Sequence, residues 1–157
     1  MSSRACLLVC LLLCGCQSAA VEPRPVAGSF VHALNAKSVE GMTALTALPF
    51  RYRNQPWQSA PDGSGYVLGA AQERVAKNAD ELVALLREVS SSVQVADPDP
   101  VATPPDKEIL LKQFLKGAPS QWSEMHLVLF RRGEGDVEHV AIVGIDARGK
   151  VVALYIN

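Results

Sequence analysis

"MHLVLFRRGEGDVEHVAIVGIDARGKVVALYIN", Met125 to Asn157, decides the fold class. It holds three runs rich in β-branched and aromatic residues, "MHLVLFRR", "DVEHVAIVGID" and "KVVALYIN", separated by "GEG" and "ARG". Runs of this kind with short glycine-containing breaks read as strands joined by hairpins. With "DARGK" as a three-residue turn and Gly149 in the left-handed position, Asp146 pairs with Lys150. That register puts Val140, Ile142 and Gly144 on one face with Val152, Leu154 and Ile156. The other face carries His139, Ala141, Val143 and Ile145 beside Val151, Ala153, Tyr155 and Asn157. The first face is aliphatic and is expected to pack beneath helices. The second mixes small residues with Tyr155 and His139 and is open to three readings: exposed surface, dimer interface or pocket wall.

Upstream, the apolar period changes from two to between three and four. "FVHALNA" and "SVEGMTALTAL" read as two short helices broken near residues 35–37, the second capped by Ser38 and ended by Pro49. "FRYRNQPW" alternates, with Arg51, Arg53, Gln55 and Trp57 on one face and Phe50, Tyr52 and Asn54 on the other, a strand closed by Pro56 and "SAPDGSG". "GYVLG" reads as the returning strand, and "AAQERVAK" takes no assignment. "NADELVALLREV" is the clearest helix: Asn78 caps it, Glu81 closes a capping box, and Leu82, Leu85, Leu86 and Val89 line one face. "DPDPVATPP", residues 97–105, cannot be regular structure because its prolines lack donors and restrict the residues before them. "PDKEILLKQFLKG" reads as a further amphipathic helix, with Thr103 as cap and Gly117 as stop. Helices first and a meander last make an α+β layout: N-terminal helices packed on a curved antiparallel sheet.

All four cysteines, at 6, 10, 14 and 16, lie in the first sixteen residues. Arg4 precedes "ACLLVCLLL", an apolar run in the range of a signal-peptide core (about 7–15 residues) and shorter than the roughly 20 needed to span a bilayer. At its end, Leu13-Cys14-Gly15-Cys16 resembles the bacterial lipobox. The resemblance implies diacylglycerol on Cys16, cleavage before it and acylation, palmitate included, of its new amino group. Gln17, rather than aspartate, then implies sorting to the outer membrane at its periplasmic face. The alternative is an ordinary secreted protein cleaved after Ala19 or Ala20. The expected organisation is a signal peptide over 1–15, a lipidated tether over 16–27 and one domain over 28–157. That domain folds without disulfides in a compartment that permits them.

Charge is nearly balanced, with 15 basic and 16 acidic side chains, and no basic stripe or aromatic-basic interleaving argues for nucleic acid as a partner. His32, His126 and His139 lack zinc-site spacing, so no metal or other cofactor is expected. No G-x-S-x-G nucleophile motif occurs.

The element order over Gly28 to Asn157 is similar to the nuclear transport factor 2-like superfamily, also called SnoaL-like or cystatin-like. The broken helical pair "FVHALNAKSVEGMTAL" and the closing strands "VEHVAIVGIDARGKVVALYIN" carry that resemblance; the 97–117 segment departs from it. It implies a cone-shaped pocket between sheet and helices, in a fold that hosts isomerases, dehydratases and non-catalytic binders, among which fold alone does not choose.

A ketosteroid-isomerase-like site needs an interior carboxylate. Tyr52 and Tyr155 are suitable donors, but Glu138 falls on the aliphatic side and Asp146 at the turn, so no catalytic residue is assigned. His139, the histidine inside a strand core, is the natural general-base candidate, against the commoner role of a solvated strand position. Trp57, Tyr66 and Trp122 either line a pocket or cover the core. The ligand-binding candidates are therefore Tyr52, Trp57, His139 and Tyr155. The expected function is non-catalytic binding of a small apolar ligand, or interaction with an envelope protein. The alternative is an isomerase or dehydratase acting on a small apolar substrate. If Val143, Ile145, Val151 and Ala153 lie exposed around Tyr155, a weak homodimer follows; if helix 106–116 folds over them, the chain is monomeric.

Overall fold

Proline opens the first helix, at a position where a missing N–H leaves no hydrogen bond unmade. The computed structural model describes residues 22–133 and 135–157. In it α1 runs Pro23–Asn35, so residues 23–27, expected in the tether, belong to the helix. The signal peptide, the lipobox and Cys16 lie outside the described residues. The break after α1 is made by Lys37, at φ 55°, and Ser38 restarts the helix by accepting the Gly41 N–H at 3.1 Å. That second helix, α2 (Val39–Leu45), stops earlier than its proline suggests, and the chain passes directly into β1 (Thr46–Asn54). Pro49 sits within β1, between the Thr46 and Arg51 pairings, where the ladder is interrupted and its lost donor is not required.

The main sheet has the order β4-β1-β7-β6-β5, where β4 is Gln72–Ala76, β5 His126–Gly133, β6 His139–Ile145 and β7 Val151–Ile156. "AAQERVAK" thus supplies an edge strand. All pairs are antiparallel except β1 with β7, so the sheet is mixed within the α+β class. Strands β2 (Trp57–Ser59) and β3 (Tyr66–Leu68) form a separate two-stranded ribbon.

Helix α3 (Ala79–Ser92) begins as its sequence indicates. Asn78 Oδ1 accepts the Glu81 N–H at 3.0 Å, while Glu81 reaches back to the N–H of Lys77 at 2.7 Å, one residue beyond the usual box. Helix α4 (Lys107–Gln113) starts after Asp106 rather than Thr103, since Pro104 and Pro105 hold the intervening backbone extended. Gly117, at φ +71°, lies in the left-handed region just beyond α4. Ahead of α4 the proline-rich segment runs along the outer edge of β5, with Ala96 N–H donating to Arg132 O at 3.0 Å and Val101 N–H to Leu129 O at 2.9 Å.

The last hairpin closes as expected, with Gly149 at φ +76° and the Asp146 N–H donating to Lys150 O at 2.9 Å. Its register does not persist. Ile145 pairs with Val151, but Gly144 pairs with Ala153, which leaves Val152 as the extra residue of a bulge. A Cβ on Gly144 would lie 2.9 Å from the Ala153 methyl and 2.7 Å from Met125 Sδ, so glycine is what admits the bulged strand. The slip exchanges faces, and the expected partition is corrected. Ala141, Val143, Ile145, Val151, Leu154 and Ile156 face α1–α3, with Phe30, Phe50 and Leu86. Val140, Ile142, Val152, Ala153 and Tyr155 face α4 and a 3₁₀ turn at Ser120–Glu124, with Phe114 and Trp122. Both faces are therefore covered by the chain's own helices. Val143, Ile145, Val151, Ala153 and Tyr155 are all buried, so the patch on which the homodimer expectation rested is not at the surface.

Candidate functional site

Because β1 and β7 are parallel, they end together, and β5 ends and β6 begins at the same end of the sheet. Tyr52 and Asn54 of β1, Ile156 and Asn157 at the end of β7, His139 and Arg132 surround one cleft there. Pro56 and Trp57 wall one side, and Ser92 and Val93, at the C-terminus of α3, another. The space is about 350 Å³, near the lower end of the roughly 300–1,000 Å³ of small-molecule sites.

Asn157 organises this end. It is buried, and its side chain extends the β6–β7 ladder by one rung: Oδ1 accepts the Val140 N–H at 2.7 Å and Nδ2 donates to Glu138 O at 3.1 Å. Trp57 Nε1 donates to that same Glu138 carbonyl at 3.1 Å, which ties the indole to the start of β6 beside His139. Arg132 is the extra residue of a second bulge, between the Arg131–Val140 and Gly133–His139 pairs. Bulges re-aim side chains; here the guanidinium donates through Nη1 to a terminal main-chain oxygen of Asn157, and its Nε is buried with no partner among the described residues.

Burial pushes the Tyr52 phenol above its ordinary pKa, and the adjacent Arg132 opposes this. Glu88 adds to the rise, yet its carboxylate is committed to Arg74 at 2.6 Å. Tyr52 is therefore a neutral hydroxyl at physiological pH, able to donate. Burial in turn draws the Arg132 guanidinium below its usual range, which still leaves it a cation. Among the described residues no aspartate or glutamate side chain lines the cleft.

The structure thus brings together Tyr52, Trp57 and His139. Tyr155 lies elsewhere: the β7 bulge turns it to the α4 side, with its ring centroid 6.3 Å from that of Phe114. There its buried hydroxyl has no protein partner, and burial pushes its pKa up to about 12, against the opposing effect of Arg53. Arg132 and Asn157 escaped the sequence reading. Beside "GEGDVE", Arg132 reads from sequence alone as half of a cross-strand charge pair at a hairpin tip. Its period-two spacing from Val128 and Phe130, both in the core beneath α1–α3, is the signal that places it inward.

A second cleft of about 360 Å³ lies at the opposite end of the sheet, against Leu48, Met125, Asp146 and Arg148. Of its charged groups, Arg148 and Asp146 pair with each other, Nη2 lying 2.7 Å from Oδ2, and Arg51 is 3.2 Å from Glu73, which lies outside the lining. Among the described residues no cluster of three or more histidine, cysteine, aspartate or glutamate side chains could hold a metal, and no helix is long and apolar enough to cross a membrane.

No protein-family model and no curated protein matches this sequence. Among solved structures, an NTF2-like protein of unknown function from Cytophaga hutchinsonii is similar over 90% of this chain and 93% of its own, at 10% identity and a TM-score of 0.39.

Proposed function

We propose that this chain is an outer-membrane lipoprotein, anchored at the periplasmic face through lipid on Cys16, whose nuclear transport factor 2-like domain holds a small molecule without transforming it. The observation that carries the binding reading is the convergence of Tyr52, Trp57, Arg132 and His139 on one cleft. Aromatic walls and a few fixed donors are what orient a small ligand. Carboxylate-based proton transfer, which the isomerase reading requires, has no such side chain among the described residues of the lining. The anchor rests on the lipobox resemblance of Leu13-Cys14-Gly15-Cys16. Since α1 begins at Pro23, residues 17–22 fully extended span at most about 20 Å, a short leash between lipid and domain.

Incorporation of labelled palmitate, abolished in Cys16→Ser, tests the anchor; normal labelling of that variant refutes it. A metabolite screen read by protein NMR tests the binding. Hits are expected to shift resonances of Trp57, His139 and Ile156 and to be lost in Trp57→Ala. Hits that leave those resonances unmoved would place binding elsewhere.

A further inference from the structure

We infer that the ligand of this cleft is a neutral saccharide of more than one ring, with one ring held in the cleft against Trp57 and the next on Tyr66. The inference rests on the binding reading above, narrows it to a chemical class and adds Tyr66 to the site. Tyr66 covers no core: it is 54% exposed, on the two-stranded ribbon whose other strand begins at Trp57. Ser59 pairs with Tyr66 and Trp57 with Leu68. Directly opposed residues share a face of a strand pair, as do residues two apart. Trp57 and Tyr66 therefore lie on one face of the ribbon as diagonal neighbours, about 7–8 Å apart. Since Trp57 lines the cleft, that face carries the cleft wall outward to Tyr66.

The platform is fixed at both ends. Trp57 Nε1 donates to Glu138 O at 3.1 Å, which spends the indole's single donor and leaves its ring face for a ligand. At the base of the ribbon the Gly69 N–H donates to Pro56 O at 2.9 Å and Gln55 Nε2 to Gly69 O at 3.0 Å. Near its tip the Ala60 N–H donates to Gly65 O at 2.8 Å.

Within the cleft, polar side chains come from three elements: Tyr52 and Asn54 of β1, Ser92 at the end of α3 and His139 at the start of β6. A wholly apolar body would strip water from these groups without replacing its hydrogen bonds, at a cost for each. A pyranose ring answers both kinds of surface. The hydroxyls around its rim reach the polar groups, and its C–H faces lie against the aromatic wall. A flat heterocycle would also stack, but its donors and acceptors are few and gathered on part of its edge, whereas the polar partners here stand around the opening. A neutral ligand also makes no demand on the charge balance of the cleft, where Arg132 already meets a terminal main-chain oxygen of Asn157.

The test titrates detergent-solubilised full-length protein with cellobiose, maltose and N,N′-diacetylchitobiose, with the corresponding monosaccharides, and with adenosine and phenylacetamide as flat probes that are not pyranoses. NMR shifts at Trp57, Tyr66 and His139 are the readout. At least one disaccharide is expected to bind about fivefold more tightly than its monosaccharide, as one added aromatic contact allows, with an affinity that salt does not change. Tyr66→Ala, at an exposed position, should bring that disaccharide to the level of its monosaccharide and leave the monosaccharide unaffected. Trp57→Ala should abolish binding of both, while Trp57→Phe, which keeps an aromatic face, should retain part of it and guards against an unfolded alanine variant. Equal affinities for disaccharide and monosaccharide, or a preference that survives Tyr66→Ala, would overturn the inference. Cleft shifts with adenosine or phenylacetamide and none with any saccharide would overturn the saccharide class and leave the binding reading standing. Absence of any cleft shift with every probe at millimolar concentration would overturn both.

Discussion

Gly144→Ala isolates the device that sets the faces of β6 and β7. A methyl at 144 would sit 2.9 Å from the Ala153 methyl and 2.7 Å from Met125 Sδ, against about 3.5–4.0 Å for a relaxed carbon contact. Met125 can swing aside, but the Ala153 methyl is fixed to a central strand, so relief requires β6 and β7 to separate. Two effects oppose each other. Overpacking a well-filled core costs about 1–3 kcal/mol, whereas replacing glycine by alanine within a strand ordinarily gains about 0.5–1 kcal/mol. The clash should win, for a net loss of about 1–2 kcal/mol, or roughly 3–10 °C in Tm for a domain of this size. Trp122 is fully buried in the α4 layer, and its fluorescence reports urea unfolding. The expected result is a lower midpoint at unchanged m. Adding Ala153→Gly should recover a large part of the loss, beyond what independent sites would show. A Gly144→Ala protein as stable as the parent, or more stable, refutes the close-approach account of the bulge.

Two further outcomes follow from single contacts. Asn78→Ala removes the side-chain acceptor for the Glu81 N–H and should lower stability by about 1 kcal/mol in the same urea assay, the usual cost of a lost N-cap. Asp146 accepts the N–H groups of Arg148 and Lys150, each at 2.9 Å, so Asp146→Ala should destabilise by about 1–2 kcal/mol at neutral pH. Burial raises the Asp146 carboxyl, but its bonds from Lys150 and Arg148 outweigh this and hold it below the ordinary carboxylate value. A depressed folded pKa gives stability that is complete above the unfolded value, about 3.9, and lost as pH falls through the folded one. The gap between parent and Asp146→Ala should therefore be constant from pH 7 to 5 and narrow below about pH 4; a gap unchanged at pH 3 would refute this.

Local signals transferred well from sequence to structure. The Asn78 cap, the Leu82-Leu85-Leu86-Val89 face, the Ser38 restart and the Gly149 turn each depend on a few neighbouring residues, and each is present. What local reading lost was the consequence of an inserted residue. Period-two alternation assumes an unbroken ladder, and one bulge at Val152 reverses every assignment beyond it. Leu154 and Tyr155 exchanged sides for that reason alone, which moved Tyr155 out of the cleft and put Ile156 into it. The parallel β1–β7 pair was equally hidden, because nothing in "FRYRNQPW" names a partner about a hundred residues downstream. Tyr52, Trp57 and His139 were legible as amphipathic residues on strands. Arg132 was obscured by acidic neighbours in sequence, whose proximity along the chain suggested an ion pair; among the described residues its contact is instead with the main-chain oxygen of Asn157.

The placement of β7 governs when this molecule can come into being. It lies between β1 and β6, so until residues 151–156 are available, β4-β1 and β6-β5 are two separate ribbons. Two-stranded pairs of that kind are at best marginally stable in water. A chain emerging N-terminus first, from a ribosome or through a translocation channel, therefore has no five-stranded sheet to fold onto until β7 arrives. Contacts between such distant segments also make folding slow relative to helical proteins of similar length. A stop codon ahead of Val151 would remove the keystone rather than an edge, exposing an unpaired border on each ribbon where other chains can add. The same late strand carries Ile156 to the cleft, with Asn157 just beyond it, so a product that stops short of it has no completed cleft.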